Sequence, residues 1–257
     1  MEGVKYFLVP NVKNFSWMTV VAAMGQMFYS LSIAMGILIT FGSYMKKETS
    51  LEDSTRNVEV FDTAIAIMAG LMIIPAVFAF SGGDPDTLQA GPALMFITIP
   101  KVFENMGFGT VVGILFFLLV LFAAVTSSIA LTESAVSTFE DELGWSRRRA
   151  TVLVGVIMIA LGSLSSLGYG PLAGIKIIGM QFLDFFDFLT NSVMMPIAAM
   201  LTSLFVSRIV GMKRMEEEIM HGESTFRRKK IFIVMIKYLC PVFALIILIS
   251  SVANEFG

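Results

Sequence analysis

The stretch Gly25-Gln26-Met27-Phe28-Tyr29-Ser30-Leu31-Ser32-Ile33-Ala34-Met35-Gly36 lies in the middle of an apolar run and decides the architecture. It places Gln26, Tyr29, Ser30 and Ser32 between two glycines, inside a segment (about 17–43) otherwise apolar enough to cross a bilayer. Lipid offers no hydrogen-bond partner to bare backbone, so a weakened helix at membrane depth survives only beside protein or a wet cavity. The pattern therefore predicts a membrane helix broken near its middle and facing inward. Discontinuous helices at the midplane are one way in which membrane proteins hold small solutes and ions.

Composition supports a membrane reading along the whole chain. The 257 residues are 56% hydrophobic and only 15% charged, with 23 Phe and 19 Met, and the mean hydropathy is +0.81. A soluble domain of this length is far more polar. Against the ~20 residues that a span needs, six apolar stretches qualify, at about 17–43, 60–81, 108–137, 149–168, 173–210 and 230–252. The fifth is long, so it tilts, bends or projects beyond the bilayer.

Lysine and arginine are distributed unevenly between the two ends of these spans. Lys46, Lys47, Arg56, Arg147, Arg148, Arg149, Arg208, Lys213, Arg214 and Arg227 to Lys230 fall on one face. Lys5, Lys13 and Lys101 fall on the other, and Lys176 lies near the start of the fifth stretch. The positive-inside bias then puts the basic connectors in the cytoplasm and both ends of the chain outside. The single Cys240 permits no disulfide within the chain, and with only His221 beside it a Cys/His zinc site is implausible. One His, one Cys and no paired catalytic acids on a shared face also argue against an intramembrane enzyme. Nothing in the charge pattern calls for nucleic acid.

The connectors are legible from their breakers. Val9-Pro10-Asn11 reads as a turn, and a chain that begins outside in a loop is expected to lack an N-terminal part. Gly82-Gly83-Asp84-Pro85, Gly91-Pro92 and Ile99-Pro100 punctuate a longer outer segment, 82–106, whose Leu94, Met95, Phe96 and Ile97 suggest either a lid-like loop packed into the protein or an amphipathic surface loop. Ser146 ahead of Arg147 to Ala150 reads as a helix cap. No repeat, low-complexity tract or soluble domain is expected, so the chain reads as one transmembrane domain.

Three sets of polar groups carry possible chemistry. Ala123, Thr126, Ser127 and Leu131 are spaced i, i+3, i+4 and i+8 and share a helix face. Small hydroxyls plus a freed carbonyl offer hard oxygen ligands of the kind that suit hard cations such as Na+; tight helix packing by small residues is the competing reading. Asp62 and Glu133 are acids within or at the edge of spans. Such residues usually face an interior and usually function, although interfacial snorkelling suits Asp62 and a structural hydrogen bond to a neighbouring span suits Glu133 equally well. Asp184 and Asp187 open the fifth helix, where one of them could meet outside water, and Glu140, Asp141 and Glu142 form a charge run at a cytoplasmic end.

Taken in order, four segments resemble the neurotransmitter:sodium symporter family, in its bacterial amino-acid transporter branch. They are Gly25 to Ser32 with Gly36; Ala69-Gly70-Leu71 with Pro75-Ala76-Val77-Phe78; Gly91-Pro92-Ala93-Leu94-Met95-Phe96 with Pro100; and Thr126-Ser127-Ser128-Ile129-Ala130 leading to Glu140-Asp141-Glu142. The resemblance implies an all-α membrane protein built as the second five-helix inverted repeat plus one more helix, with a broken first helix and with the family's first five spans absent. It implies sodium-coupled symport of amino acids, hydrophobic and neutral ones by preference, at the plasma membrane. Ser30 and Asp62 resemble ligands of the first Na+ site; the Ala123 carbonyl, Thr126 and Ser127 resemble half of the second. Tyr29, Ser32, Met35, Ser127 and Leu131 resemble substrate-pocket positions. Gln26 and Asp187 resemble outer-gate residues, Asp141 the inner-gate acid and Tyr44 the aromatic that braces it. The implied partners are an amino-acid substrate, membrane lipid and a missing N-terminal half. A non-transporting fragment, or a subunit that needs a separate N-terminal half, is the alternative reading.

Overall fold

The computed structural model describes residues 2–10, 12–80, 91–222 and 225–256, and among these the chain is almost entirely helical. Its elements in order are α1 (Glu2–Leu8), α2 (Trp17–Ser30), α3 (Ile37–Ser43), α4 (Leu51–Phe80), α5 (Ile99–Glu104), α6 (Gly109–Leu143) and α7 (Arg147–Gly168). They continue as α8 (Phe182–Val210), α9 (Met212–Ile219) and α10 (Lys229–Asn254). Five helices (α4, α6, α7, α8 and α10) are long and apolar enough to cross a membrane. The stretch at 17–43, expected as a helix broken near its middle, is divided into α2 and α3 around a non-helical segment, 31–36.

That break has a local cause. The Ile33 N–H donates to the Phe28 carbonyl and the Ser32 N–H to the Tyr29 carbonyl, which closes α2 with the paired bonds of a Schellman turn. The turn needs a left-handed residue, and Ser32 takes it at φ 53° where glycine is the usual choice. Ala34 (φ 64°) and Gly36 (φ 81°) follow in the same region. Left-handed backbone costs a residue with a Cβ roughly 1–2 kcal/mol, so Ser32 and Ala34 interrupt the right-handed helix at a cost that the rest of the fold must offset. Gly36 is also fixed by contact: a Cβ there would lie 2.6 Å from Ser134 Oγ on α6.

The chain divides into two compact units. The first comprises Met1–Phe15 and Asn57–Ser128. In it α1 lies on α4. A Cβ at Gly3 would come within 2.7 Å of Pro75 Cα, a Cβ at Gly70 would run into the Phe7 ring, and Tyr6 stacks on Phe78 with centroids 5.3 Å apart. Pro75 sits inside α4 and removes one ladder donor there. A second aromatic group, Phe96, Phe103, Phe116 and Phe117, joins α5 and its preceding wide turn Leu94–Thr98 to α6. Of the outer segment 82–106, residues 82–90 lie outside the described residues, and the remainder is mostly helical.

The second unit comprises Ser16–Arg56 and Ile129–Gly257. Ser16 caps α2 with a reciprocal Ser16–Thr19 capping box. Val136, Ala150 and Val154 form a small core between α6 and α7, with Ala135 and Phe139 against it. Phe139 stacks on Trp145 at 5.6 Å across the tight turn at Gly144, whose φ of 63° favours glycine. Thr40 on α3 meets Ser134 and Ser137 on α6, each at 3.4 Å between hydroxyl oxygens. Ser203 on α8 donates to the Ile236 carbonyl of α10, inside the wide turn Met235–Leu239. That turn interrupts the i→i−4 ladder, and a side chain takes up the backbone group.

The helix of the fifth apolar stretch, α8, begins at Phe182, whereas the apolar pattern placed its span from 173. Between them the chain folds into successive tight turns, ending in a two-residue bridge between Ile177 and Met180. Ile178 (φ 54°) and Gly179 (φ 84°) form its corner. Apolar residues hide this turn from a hydropathy reading. At the other extreme, α4 starts at Leu51 and α6 runs to Leu143, so both helices extend past their apolar stretches on the basic side.

Candidate functional site

In the second unit, the expected pocket residues Tyr29, Ser32 and Met35 sit on or beside the break between α2 and α3. Tyr29 and Ser30 end α2, and Tyr29 is half exposed. Ser32 takes the left-handed turn position, and Met35 precedes Gly36 where the chain passes close to α6. Leu131 lies on α6. Gln26 is exposed one turn before the end of α2. Asp187 on α8 accepts a hydrogen bond from the Asn191 side chain one turn on. Near it, burial and then the Asp184 carboxylate push the Tyr169 phenol above its ordinary value.

In the first unit, Asp62 lies on α4, partly buried. On α6 the Thr126 hydroxyl donates to the Phe122 carbonyl at 3.1 Å and to the Ala123 carbonyl at 3.0 Å. The Ala123 carbonyl and the Thr126 hydroxyl, both read from the sequence as Na+ ligands, therefore adjoin on one helix face. Ser127 follows on the exposed surface of the same helix. A backbone carbonyl beside a small hydroxyl is a hard-oxygen donor set, which fits a hard cation better than a transition metal.

The most organised polar group in the second unit was only partly legible. The Tyr44 hydroxyl, at the end of α3, donates to Glu133 Oε1 at 2.7 Å. Arg147, the first residue of α7, donates to both oxygens of the same carboxylate, at 3.2 and 2.5 Å. It also reaches Glu140 at 3.3 Å. The structural hydrogen bond considered for Glu133 is thus present, and Glu140 is an ion-pair partner rather than a purely solvated charge. Sequence reasoning missed Arg147. Its signal was present: Glu133 and Glu140 are i, i+7 on one helix face, and a sharp glycine turn returns the chain to them with an arginine. Asp141 lies exposed near the end of α6.

Electrostatics follow from this geometry. The hydrogen bond to Glu133 pushes the Tyr44 phenol above the ordinary tyrosine value, with desolvation and the Glu133 charge adding to it. A guanidinium gripping a carboxylate by two parallel bonds fixes orientation as well as charge. The arrangement ties three helix segments together at the basic end of the unit: the end of α3, the last turns of α6 and the start of α7.

Comparison with known proteins agrees with this architecture. The family model for the sodium:neurotransmitter symporter family matches residues 1–256. A sodium-dependent transporter of Bacillus subtilis, YhdH, is 33% identical over 224 residues, covering 87% of this chain and 49% of the relative. A sodium-dependent transporter of Haemophilus influenzae is 32% identical over 252 residues, covering 98% of this chain and 54% of the relative. The crystal structure of MhsT in complex with L-phenylalanine superposes with a TM-score of 0.83 at 35% identity, covering 97% of this chain and 56% of MhsT. The chain thus spans about half the length of the relatives it matches. Its fold is that of secondary transporters, and it is a multi-pass membrane protein. On the match along nearly its whole length, the chain belongs to the sodium:neurotransmitter symporter family.

Proposed function

We propose that this chain supplies the second half of the sites for sodium-coupled symport of hydrophobic, neutral amino acids across the plasma membrane. The observation that carries the reading is the break between α2 and α3, which leaves residues 31–36 non-helical within an otherwise membrane-competent segment. Backbone freed at membrane depth is tolerated where it lines a cavity, and it supplies polar groups for a zwitterionic substrate. In this reading Tyr29, Ser32, Met35, Ser127 and Leu131 contact the substrate. Met35 is an unbranched, polarizable thioether that adapts to bulky apolar side chains, and MhsT was crystallised with L-phenylalanine.

Sodium is co-transported. Ser30 and Asp62 serve the first site; the Ala123 carbonyl, Thr126 and Ser127 serve the second. Each elementary charge moved inward through ~100 mV contributes roughly 2.3 kcal/mol toward uptake. Gln26 and Asp187 act at the outer gate, and Tyr44 and Asp141 at the inner one. The remaining ligands come from an N-terminal half, joined to this chain or encoded separately, and the outer segment 82–106 acts as a lid.

The test is uptake of labelled phenylalanine into proteoliposomes under an inward Na+ gradient. The chain alone is expected to be inactive. The chain joined to, or co-assembled with, the first five spans of a relative is expected to accumulate substrate. In that assembly Ser30→Ala, Asp62→Ala and Thr126→Ala are each expected to raise the Na+ concentration for half-maximal uptake by about tenfold, or ~1.4 kcal/mol. Unchanged sodium titrations in all three variants would remove the site assignment. An assembled pair with no uptake would leave the non-transporting-fragment reading in its place.

A further inference from the structure

Helix α10 carries a lysine within its apolar length. Lys237 lies seven residues beyond Lys230, roughly 10 Å further along the axis at 1.5 Å per residue. Lys237 and its neighbour Tyr238 are both exposed, and the Lys237 ammonium sits over the Tyr238 ring at 5.4 Å from its centroid. Among the described residues neither Lys230 nor Lys237 has an acidic partner. An ammonium inside a span without a partner is costly, so it bends toward the headgroups.

Three observations make this more than a stray snorkelling lysine. First, the exposed apolar residues Ile231, Val234, Tyr238, Val242, Leu245 and Ile249 recur every three to four positions, so they form a single stripe along the helix. Lys230 and Lys237 each border it. Second, the helix widens at Met235–Leu239, around Lys237 and Tyr238, and this departure is stabilised by the Ser203 hydroxyl on the Ile236 carbonyl. Wide turns of this kind recur at functional sites. Third, Arg227-Arg228-Lys229-Lys230 heads the helix. Lys229 in that run is engaged by Glu216, whereas Lys230 is not engaged by any described acid.

We propose that this face of α10 is a binding site for an anionic phospholipid of the leaflet at the basic end of the helix. Lys230 from above and Lys237 from below grip the phosphate, Tyr238 offers its hydroxyl as a further donor, and an acyl chain lies along Val242 and Leu245. Charge complementarity selects this occupant. Two cations with no acidic partner among the described residues, at the headgroup end of an apolar stripe, match an amphiphile with a negative head, and juxtamembrane basic clusters attract anionic lipid in general. The proposal does not depend on the transport reading.

The experiment is native mass spectrometry of the intact purified chain, released from bilayers of equimolar phosphatidylglycerol and phosphatidylcholine. The native chain is expected to retain phosphatidylglycerol in preference. Lys230→Gln with Lys237→Gln is expected to reduce that retention by roughly fivefold for each lysine removed. Lys230→Arg with Lys237→Arg keeps charge and helix and is expected to retain the lipid. As a second readout on the native chain, acylation of Lys237 by a soluble amine reagent is expected to be slower in phosphatidylglycerol vesicles than in phosphatidylcholine vesicles. Equal retention of the two lipids, unchanged retention in the glutamine variant, or equal Lys237 reactivity in both vesicles overturns the proposal. Equal and low reactivity in both would show instead that a protein segment covers the lysine.

Discussion

Arg147 holds Glu133 by two guanidinium nitrogens, across a turn that separates them by 14 residues. The pair is asymmetric in its surroundings. The Arg147 side chain is 59% exposed and the Glu133 side chain only 19%. Water therefore screens the charge, while the geometry of the carboxylate is set from both sides by Arg147 and Tyr44.

The first prediction concerns the strength of that pair. A double-mutant cycle with Arg147→Ala and Glu133→Gln is expected to give only the small coupling usual for solvent-exposed pairs. Arg147→Lys is expected to lose most of it, because an ammonium cannot span both oxygens. Thermal unfolding of the four variants in detergent measures the coupling, and a value of several kcal/mol would contradict the screened picture.

Tyr44 makes the second prediction, in pH. Its phenol titrates above the ordinary tyrosine value because the Glu133 carboxylate accepts its proton in a hydrogen bond. A raised value means that the folded chain holds the proton more tightly than the unfolded one. The contribution to stability is therefore complete below about pH 10, the unperturbed tyrosine value, and is lost as pH rises through the raised one. Phenolate absorbance, with Tyr44→Phe subtracted, is expected to show a late-titrating tyrosine that returns toward the ordinary value in Glu133→Ala. An identical midpoint in both chains would refute the assignment.

The third prediction tests the close approach of the broken segment to α6. Gly36→Ala meets both an unfavourable φ of 81° and Ser134 Oγ at 2.6 Å from the new Cβ. A destabilisation of about 1–3 kcal/mol is expected. Ser134→Ala removes the hydroxyl that collides, so the double variant is expected to recover part of the loss, with the backbone cost remaining. Strict additivity of the two substitutions in thermal unfolding would show that the close approach has no energetic consequence.

Ile178 supplies the fourth. A β-branched residue at φ 54°, and 64% exposed, occupies a turn position that Asn or Gly takes at lower cost. Ile178→Gly and Ile178→Asn are each expected to stabilise the chain, by about 1 kcal/mol, since the strain is relieved and little burial is lost. A lower melting temperature in both would mean that Ile178 makes contacts that outweigh its backbone strain.

Much of the fold was legible because its causes are local. Runs of about twenty apolar residues need no distant information to be read as spans, and the polar, glycine-bounded stretch around Ser30 announced the break between α2 and α3. The spacing of Ala123, Thr126 and Ser127 places them on one face of the helix that the structure shows as α6. The start of α8 was misplaced because, after the Gly170-Pro171 turn, Leu172, Ile175, Ile177, Ile178 and Met180 carry the hydropathy of a helix and outweigh the breakers Gly174 and Gly179. The wide turns at Phe188–Met194 and Met235–Leu239 were hidden for a related reason: their ladder shifts depend on what the neighbouring helix offers, such as Ser203 to Ile236.

The sequence by itself determined that this chain is a helical membrane protein with one interrupted span, since hydrophobic period and backbone breakers act within a few residues. Only the tertiary structure decided that Tyr44, Glu133, Glu140 and Arg147 meet, and that Gly36 must lie against Ser134. Those meetings join segments up to 103 positions apart, as the numbers of Tyr44 and Arg147 give (147 − 44). The glycine turn gave a local signal for Arg147 alone; the approach of Tyr44 to Glu133 and of Gly36 to Ser134 depends on how distant helices pack.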